Sequence, residues 1–216
     1  MQVPSLIPRS LPAPHAVQIW SAPVTLTEGE RAQALLTLST DELERAWRAT
    51  PSVRELQVAR RYWLRHVLAG YLTVPAASLQ FRYGAFGKPR LAEGQSLHFN
   101  QTSSGDQTFI AVATTSIGID AEHHDRQCEI DVRRWTAWEA ITKAVGCGLG
   151  YEIALTISWD GHVPRISQIG HDDPTAWTLV SFCSKENVIV SVGVRFPQAS
   201  WRLHSAYDVP GRTAHP

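Results

Sequence analysis

Along residues 53–72 the apolar positions Val53, Leu56, Ala59, Trp63, Leu64, Val67 and Leu68 recur at intervals of three and four. That period lays them on one stripe of a helix, with the basic residues between Arg54 and Arg65 as its solvent-facing side. Pro75 stops further winding. Two shorter helices are predicted upstream. One covers residues 26–38, with Thr27 as N-cap and Glu30 as its capping-box partner. The next covers 39–47, with Ser39 or Thr40 as the cap and Glu42 in its first turn. Residues 16–20 alternate apolar and polar and read as a strand. From residue 79 the period shortens to that of strands, at 79–83, 97–100 and 108–114. Turns are expected at Gly84, at Gly87-Lys88-Pro89 and at Ser103-Ser104-Gly105-Asp106. A strand at 118–122, a helix at 135–145 and strands at 153–158, 163–169, 177–183 and 188–194 follow, with Gly146, Gly148 and Gly150 ending the helix. This order predicts an α+β fold of two similar lobes, each with an antiparallel sheet and a long helix. Residues 1–15 form a Pro-rich lead, 16–115 the first lobe, 116–202 the second, and 203–216 a polar, frayed tail.

The chemistry concentrates in the second lobe. On a strand, Asp120 and Glu122 point to the same face. On the following helix, Trp135, Glu139 and Lys143 stack along one stripe at i, i+4 and i+8. If strand and helix converge, three carboxylates meet beside a lysine, and like charges crowd together only around a cation or a proton. A hard divalent ion such as Mg²⁺, shared with phosphates and water, satisfies such a cluster and points to a phosphorylated substrate.

Composition narrows the class. Lys+Arg and Asp+Glu number 20 each in the 216 residues, so no net field draws the chain to nucleic acid or to an acidic membrane. An apolar fraction of 44% with eight Trp indicates a packed globule rather than a disordered chain. The three cysteines, Cys128, Cys147 and Cys183, form no C-x-x-C pair and read as free thiols of a reducing compartment. No apolar run approaches the ~20 residues that span a bilayer. The start of the chain, interrupted by Pro4, Pro8, Pro12 and Pro14, does not read as a secretion signal. A cytoplasmic protein with no membrane segment is expected.

Taken singly, the motifs have plain alternatives. Asp120 and Glu122 fit a solvated strand edge, and Glu139–Lys143 fits a surface helix pair contributing about 0.2–0.5 kcal/mol. Gly87-Lys88-Pro89 and Ser103-Ser104-Gly105 fit ordinary turns. His123-His124 beside Asp125 reads as a solvated loop, and Trp135 and Trp138 as packing residues. The order of the set is more specific. Gly87-Lys88-Pro89, Phe99-Asn100 through Asp106, Gly118-Ile119-Asp120-x-Glu122 and the Trp135–Lys143 helix follow Val17-Gln18-Ile19-Trp20, Leu38-Ser39-x-Asp41-Glu42 and Arg54…Ala59-Arg60…Leu64-Arg65. They precede Gly146-x-Gly148-Leu149. Over roughly residues 16 to 200 the chain resembles the 4′-phosphopantetheinyl transferase superfamily, in its larger, surfactin-synthetase-type branch.

That resemblance implies transfer of the phosphopantetheine arm of coenzyme A to a serine of an acyl or peptidyl carrier protein, with Mg²⁺ and release of adenosine 3′,5′-bisphosphate. By position, Asp120, Glu122 and Glu139 match the family's metal-binding acids. Glu139 also matches the residue that helps deprotonate the acceptor serine. Lys143 and Lys88 match phosphate-contacting lysines, Arg54 a basic residue at the nucleotide's 3′-phosphate, and Ser103 and Ser104 the phosphate-holding segment. Two lobes in one chain can form the cleft without a second subunit, so a monomer is expected. Three positions depart from the family pattern. Ser103 stands where the family has histidine, Trp138 where it has Lys or Arg, and only residues 123–134 separate Glu122 from Trp135, where relatives have a longer segment. The alternative reading is a catalytically silent relative that binds coenzyme A or a carrier protein without transfer.

Overall fold

The computed structural model describes residues 10–92, 96–125, 128–147, 153–184 and 186–205. The first strand, β1 (Ala16–Pro23), leads into α1 (Glu28–Thr37), α2 (Thr40–Trp47) and α3 (Pro51–Leu72). Both short helices start as the sequence predicts. The Thr27 hydroxyl accepts from the Glu30 amide at 3.3 Å while Glu30 accepts from the Thr27 amide at 2.8 Å. Ser39 and Glu42 repeat the exchange at 3.4 and 3.0 Å. Helix α3 begins at Pro51, whose missing N–H costs nothing in a first turn.

The hairpin β2 (Phe81–Tyr83) and β3 (Pro89–Leu91) is followed by β4 (His98–Ser104), β5 (Gln107–Ala113), β6 (Ile117–His123) and α4 (Glu129–Val145). Then come the hairpin β7 (Leu155–Asp160) and β8 (Val163–Ile169), and β9 (Thr178–Cys183), β10 (Val188–Val194) and β11 (Ser200–Ser205). The larger sheet has the order β11-β1-β5-β4, and the second β6-β10-β9. Every pair is antiparallel except β1 with β11. The fold is α+β, as expected from the sequence.

The layers run α3, larger sheet, second sheet, α4. Trp20, Ala22, Ile110 and Val112 pack under α3, while Val17, Ile19, Phe109 and Ala111 face Ile117, Ile119, Val190 and Val192 of the second sheet. Strands covered on both faces lose their alternation, which is why β5 and β10 are buried throughout. Among the described residues no helix is long and apolar enough to cross a membrane.

Several features differ from expectation, among them β3, which begins at Pro89 of the expected turn. Ser103 and Ser104 belong to β4, because Ser104 pairs with Gln107 and leaves a loop of Gly105 and Asp106, with Gly105 at φ +57°. Helix α4 starts at Glu129, so the segment 123–134 contains its first turns. Arg133 secures them by donating to Glu129 at 2.8 and 3.0 Å and to the Ser181 hydroxyl at 3.2 Å. Residues 203–205, read as tail, extend β11 along β1, with Ile19 opposite Leu203 and Ser21 opposite Ser205. Arg65 is not on a wet face. It is 1% exposed, donates to Glu42 at 2.7 Å and to the Ala76 and Leu79 carbonyls at 2.9 and 3.0 Å. The expected stops at Gly148 and Gly150 lie outside the described residues, whereas Gly146 caps α4 at φ +84°.

Helix α4 lies directly on backbone. Gly118 and Gly193 sit opposite each other in the β6–β10 ladder, and a Cβ on Gly118 would meet the Ala140 carbonyl oxygen at 2.0 Å and the Ala144 nitrogen at 2.4 Å. At Gly193 the first obstacle is the Ile141 Cδ1 at 2.4 Å, the movable end of a side chain. Gly118→Ala therefore forces helix and sheet apart and is expected to cost about 3 kcal/mol, the upper part of the overpacking range, with Gly193→Ala milder. Urea unfolding midpoints check this; a Gly118→Ala protein as stable as the parent would show that the helix can retreat without loss.

Candidate functional site

The close approach of α4 to β6 determines which side chains meet. Asp120 alternates away from the apolar interior between the sheets, toward α4, and is 2% exposed. Its Oδ1 accepts from the Lys143 ammonium at 2.5 Å and from the Thr102 hydroxyl of β4 at 3.3 Å. The same ammonium lies 2.9 Å from Glu139 Oε2, one turn earlier on α4. Asn100, also on β4, accepts from the Ile119 amide at 2.9 Å, so β4 and β6 are stitched together beside the cluster.

Glu122 projects from the same strand face and is exposed. Partial burial, then Asp120 and Glu139, push its carboxyl above the usual range, which records the negative field the three acids share. Burial alone would lower the Lys143 pKa; Asp120 and Glu139 outweigh it and hold the ammonium above its ordinary value.

Among the described residues no three His, Cys, Asp or Glu side chains form a ready metal cage. Lys143 is the cation that holds Asp120 and Glu139 together. The donor set nevertheless suits a hard divalent ion. It offers carboxylate oxygens only, and Asp120 Oδ2 is enclosed without a hydrogen-bond partner.

A second feature opens on the β4 side. A cavity of about 350 Å³ is lined by residues of α2, α3, the β2–β3 hairpin and β4, among them Glu42, Arg45, Arg60, Arg61, Asn100 and Gln101. Three guanidinium groups surround the Glu42 carboxylate, which pairs with Arg65 and lies 3.9 Å from Arg61, and the excess of positive charge suits an anion. Tyr83 organises its rim. The Arg45 guanidinium lies 4.8 Å over the Tyr83 ring, and Arg61 lies 5.9 Å from it while donating to the phenol oxygen at 3.4 Å. Gln101 donates to the Arg60 carbonyl at 2.9 Å and fixes the strand against α3.

The remaining residues expected at a phosphate site divide. Lys88 extends from the β2–β3 turn and donates to the Ile117 carbonyl at 2.8 Å and the Lys143 carbonyl at 2.5 Å. Burial, with Arg90 nearby, lowers its pKa to about 8, and one of its three N–H bonds is left for a ligand. Ser103 shares the β4 face of Gln101, and its hydroxyl is buried without a partner; Ser104 shares the face of Thr102. Arg54 is not at the cavity wall. It stacks 5.2 Å over Trp47 and donates to the Ala49 carbonyl at 3.4 Å.

Trp138 lies against Trp135, ring centroids 6.0 Å apart, so an apolar ledge borders Glu139 where the resemblance predicts a cation. His124 is buried rather than solvated, with Nδ1 at 3.0 Å from the Asp125 carbonyl and Nε2 at 3.5 Å from Cys183 Sγ. Sequence reasoning did not single out Arg45, Tyr83, Gln101 or Thr102. The only available signal was the excess of arginine on one helix, which does not say which arginines turn toward a strand.

The profile of the 4′-phosphopantetheinyl transferase superfamily matches residues 118–192, from β6 through α4 into β10. The chain is 30% identical over 215 residues to the 4′-phosphopantetheinyl transferase HetI of Nostoc sp. (strain PCC 7120), with 82% of this chain and 87% of that protein covered. It is 31% identical over 170 residues to a Synechocystis sp. (strain PCC 6803) protein named "Putative 4′-phosphopantetheinyl transferase slr0495", covering 64% of this chain and 67% of that protein.

The basic cavity carries its own expectation. Inorganic pyrophosphate should raise the melting temperature. Arg45→Ala and Arg61→Ala should each weaken binding roughly tenfold, the loss of one charge-assisted hydrogen bond. Tyr83→Ala, which frees both guanidinium groups, should weaken it as well. Calorimetric titration reads these affinities, and unchanged values in all three variants would remove the cavity as the anion site.

Proposed function

This chain belongs to the 4′-phosphopantetheinyl transferase superfamily, and on that premise we propose that it transfers the 4′-phosphopantetheine arm of coenzyme A to a serine of an acyl or peptidyl carrier protein. The observation that carries the reading is the meeting of Asp120, Glu139 and Lys143 next to an arginine-lined cavity. One half suits a reacting diphosphate and the other a phosphorylated nucleoside.

In this reading the 3′-phosphate of coenzyme A is held by Arg45, Arg60 and Arg61, while Arg54, nearer the start of α3, stays on Trp47 and Ala49 outside the cavity. Ser104, Lys88 and Lys143 bind the diphosphate, and Ser103, which β4 turns to its other face, lies on the side of Gln101 and the cavity. The serine oxygen forms a bond to the phosphorus that bears the pantetheine arm. The bond from that phosphorus to the bridging oxygen breaks, and adenosine 3′,5′-bisphosphate leaves. Glu139 takes the serine proton, because a hydroxyl becomes a competent nucleophile only with a base beside it. Lys143 and Lys88 offset charge gathering on the diphosphate oxygens, so positioning and electrostatics supply most of the acceleration. Asp120, Glu122 and Glu139 would hold Mg²⁺, which when bound neutralises non-bridging phosphate oxygens.

The reading is tested by incubating the protein with coenzyme A, Mg²⁺ and a panel of apo carrier proteins and recording intact masses. A gain of one phosphopantetheine on a carrier, lost in Glu139→Gln, is the expected result. No gain across the panel with coenzyme A still bound would instead identify a silent relative.

A pH effect follows from Lys88. Below about pH 8 its ammonium is charged and attracts phosphate; above that value the charge is lost. Coenzyme A affinity should therefore fall as pH rises, by up to about tenfold per unit above the pKa of this one group. Lys88→Arg, which stays charged, should flatten the profile. Calorimetric affinities between about pH 7 and about pH 9 read the difference, and identical slopes would exclude Lys88 as a phosphate contact.

A further inference from the structure

Lys143 occupies the place from which a cation would bridge Asp120 and Glu139. Its ammonium lies 2.5 Å from Asp120 Oδ1 and 2.9 Å from Glu139 Oε2. Asp120 Oδ2 is enclosed and unpartnered, so the carboxylate is only half used. A divalent ion that draws on both acids competes with the ammonium standing between them, because two cations repel at contact distance. The Lys143 side chain has somewhere to go. It is 29% exposed, against 3% for Asp120, and its four-carbon stem is flexible.

From this geometry we infer that Lys143 is an internal cation that holds the carboxylate cluster together until a divalent ion displaces it, and that the displaced ammonium becomes a phosphate contact. The identity of that phosphate rests on the transferase reading above; the exchange itself does not. Two states follow, one with Lys143 on the acids and one with the metal on the acids and Lys143 on the ligand. Metal and phosphate both favour the second state, so each tightens the other by the same factor.

The stem of Lys143 can be kept while its charge is removed. Lys143→Met should bind Mn²⁺ alone at least about tenfold more tightly than the parent, within the usual range of such couplings. Saturating coenzyme A should tighten Mn²⁺ binding more in the parent than in the variant, where only direct contact between metal and phosphate couples them. The electron paramagnetic resonance signal of free Mn²⁺ gives both affinities, after subtraction of the weak binding of Mn²⁺ to coenzyme A alone. Lys143→Gln serves as a second variant, with circular dichroism verifying the fold of each.

Parent protein in which Mn²⁺ and coenzyme A bind without mutual effect would overturn the inference, whatever the variants do. So would Lys143 variants whose Mn²⁺ affinity is equal or weaker, which would make Lys143 an organiser of the site rather than its occupant. Exchange observed in a protein that transfers nothing to any carrier would uphold this inference and remove only the transferase reading.

Discussion

Everything at the candidate site depends on how closely α4 approaches the second sheet. Two glycines facing each other in the ladder, Gly118 and Gly193, remove the side chains that would keep helix and sheet apart. On the helix, Ala137, Ala140 and Ala144 present equally little bulk and are buried. The resulting contact is nearly backbone to backbone, so its spacing is fixed by main-chain atoms rather than by rotamers. Asp120, two residues after Gly118, and Glu139 and Lys143, on either side of Ala140 and Ile141, are thereby carried to within hydrogen-bond distance.

The protein holds two buried charge clusters, one in each layer of helices. Around Arg65, the carboxylate of Glu42 and two carbonyls use the guanidinium donors, and Phe81 covers the group at 5.3 Å. This cluster holds α2, α3 and the following turn in one arrangement, although Glu42 Oε1 is buried without a hydrogen-bond partner, 3.9 Å from Arg61. Around Asp120 one oxygen is likewise unused, but here the cation is a lysine partly open to solvent rather than an enclosed arginine. A buried polar atom without a partner costs stability, so an incomplete cluster persists where a ligand completes it.

Local signals in the sequence translated well into structure. Both capping boxes, the long amphipathic helix and the turn at Gly105 follow from residues adjacent in the chain, and the structure forms each of them. What was not legible depended on distant partners. Helix α4 gains its first turns because Arg133 finds Glu129 on one side and Ser181 on the other, and Ser181 is far away in sequence. Arg65 looked like a surface residue since period alone cannot say that Glu42 sits opposite it. At the site, the juxtaposition of Asp120, Glu139 and Lys143 was readable from spacing, because strand and helix periods place them on facing sides. The arginines of the cavity were not, since their use depends on Tyr83 and on how α3 lies against β4.

The parallel pairing of β1 with β11 has a kinetic consequence. Residues 16–21 are joined to residues 200–205, with nearly all of the described chain between them. Loop-closure entropy rises only slowly with length, so the ladder is thermodynamically affordable, yet contacts of such range form late. Until then β1 has one edge on β5 and the other open, and an open edge is a template for pairing with another chain. During synthesis that edge waits for the intervening residues to be made. Among the described residues, the last strand is what shields the first from aggregation.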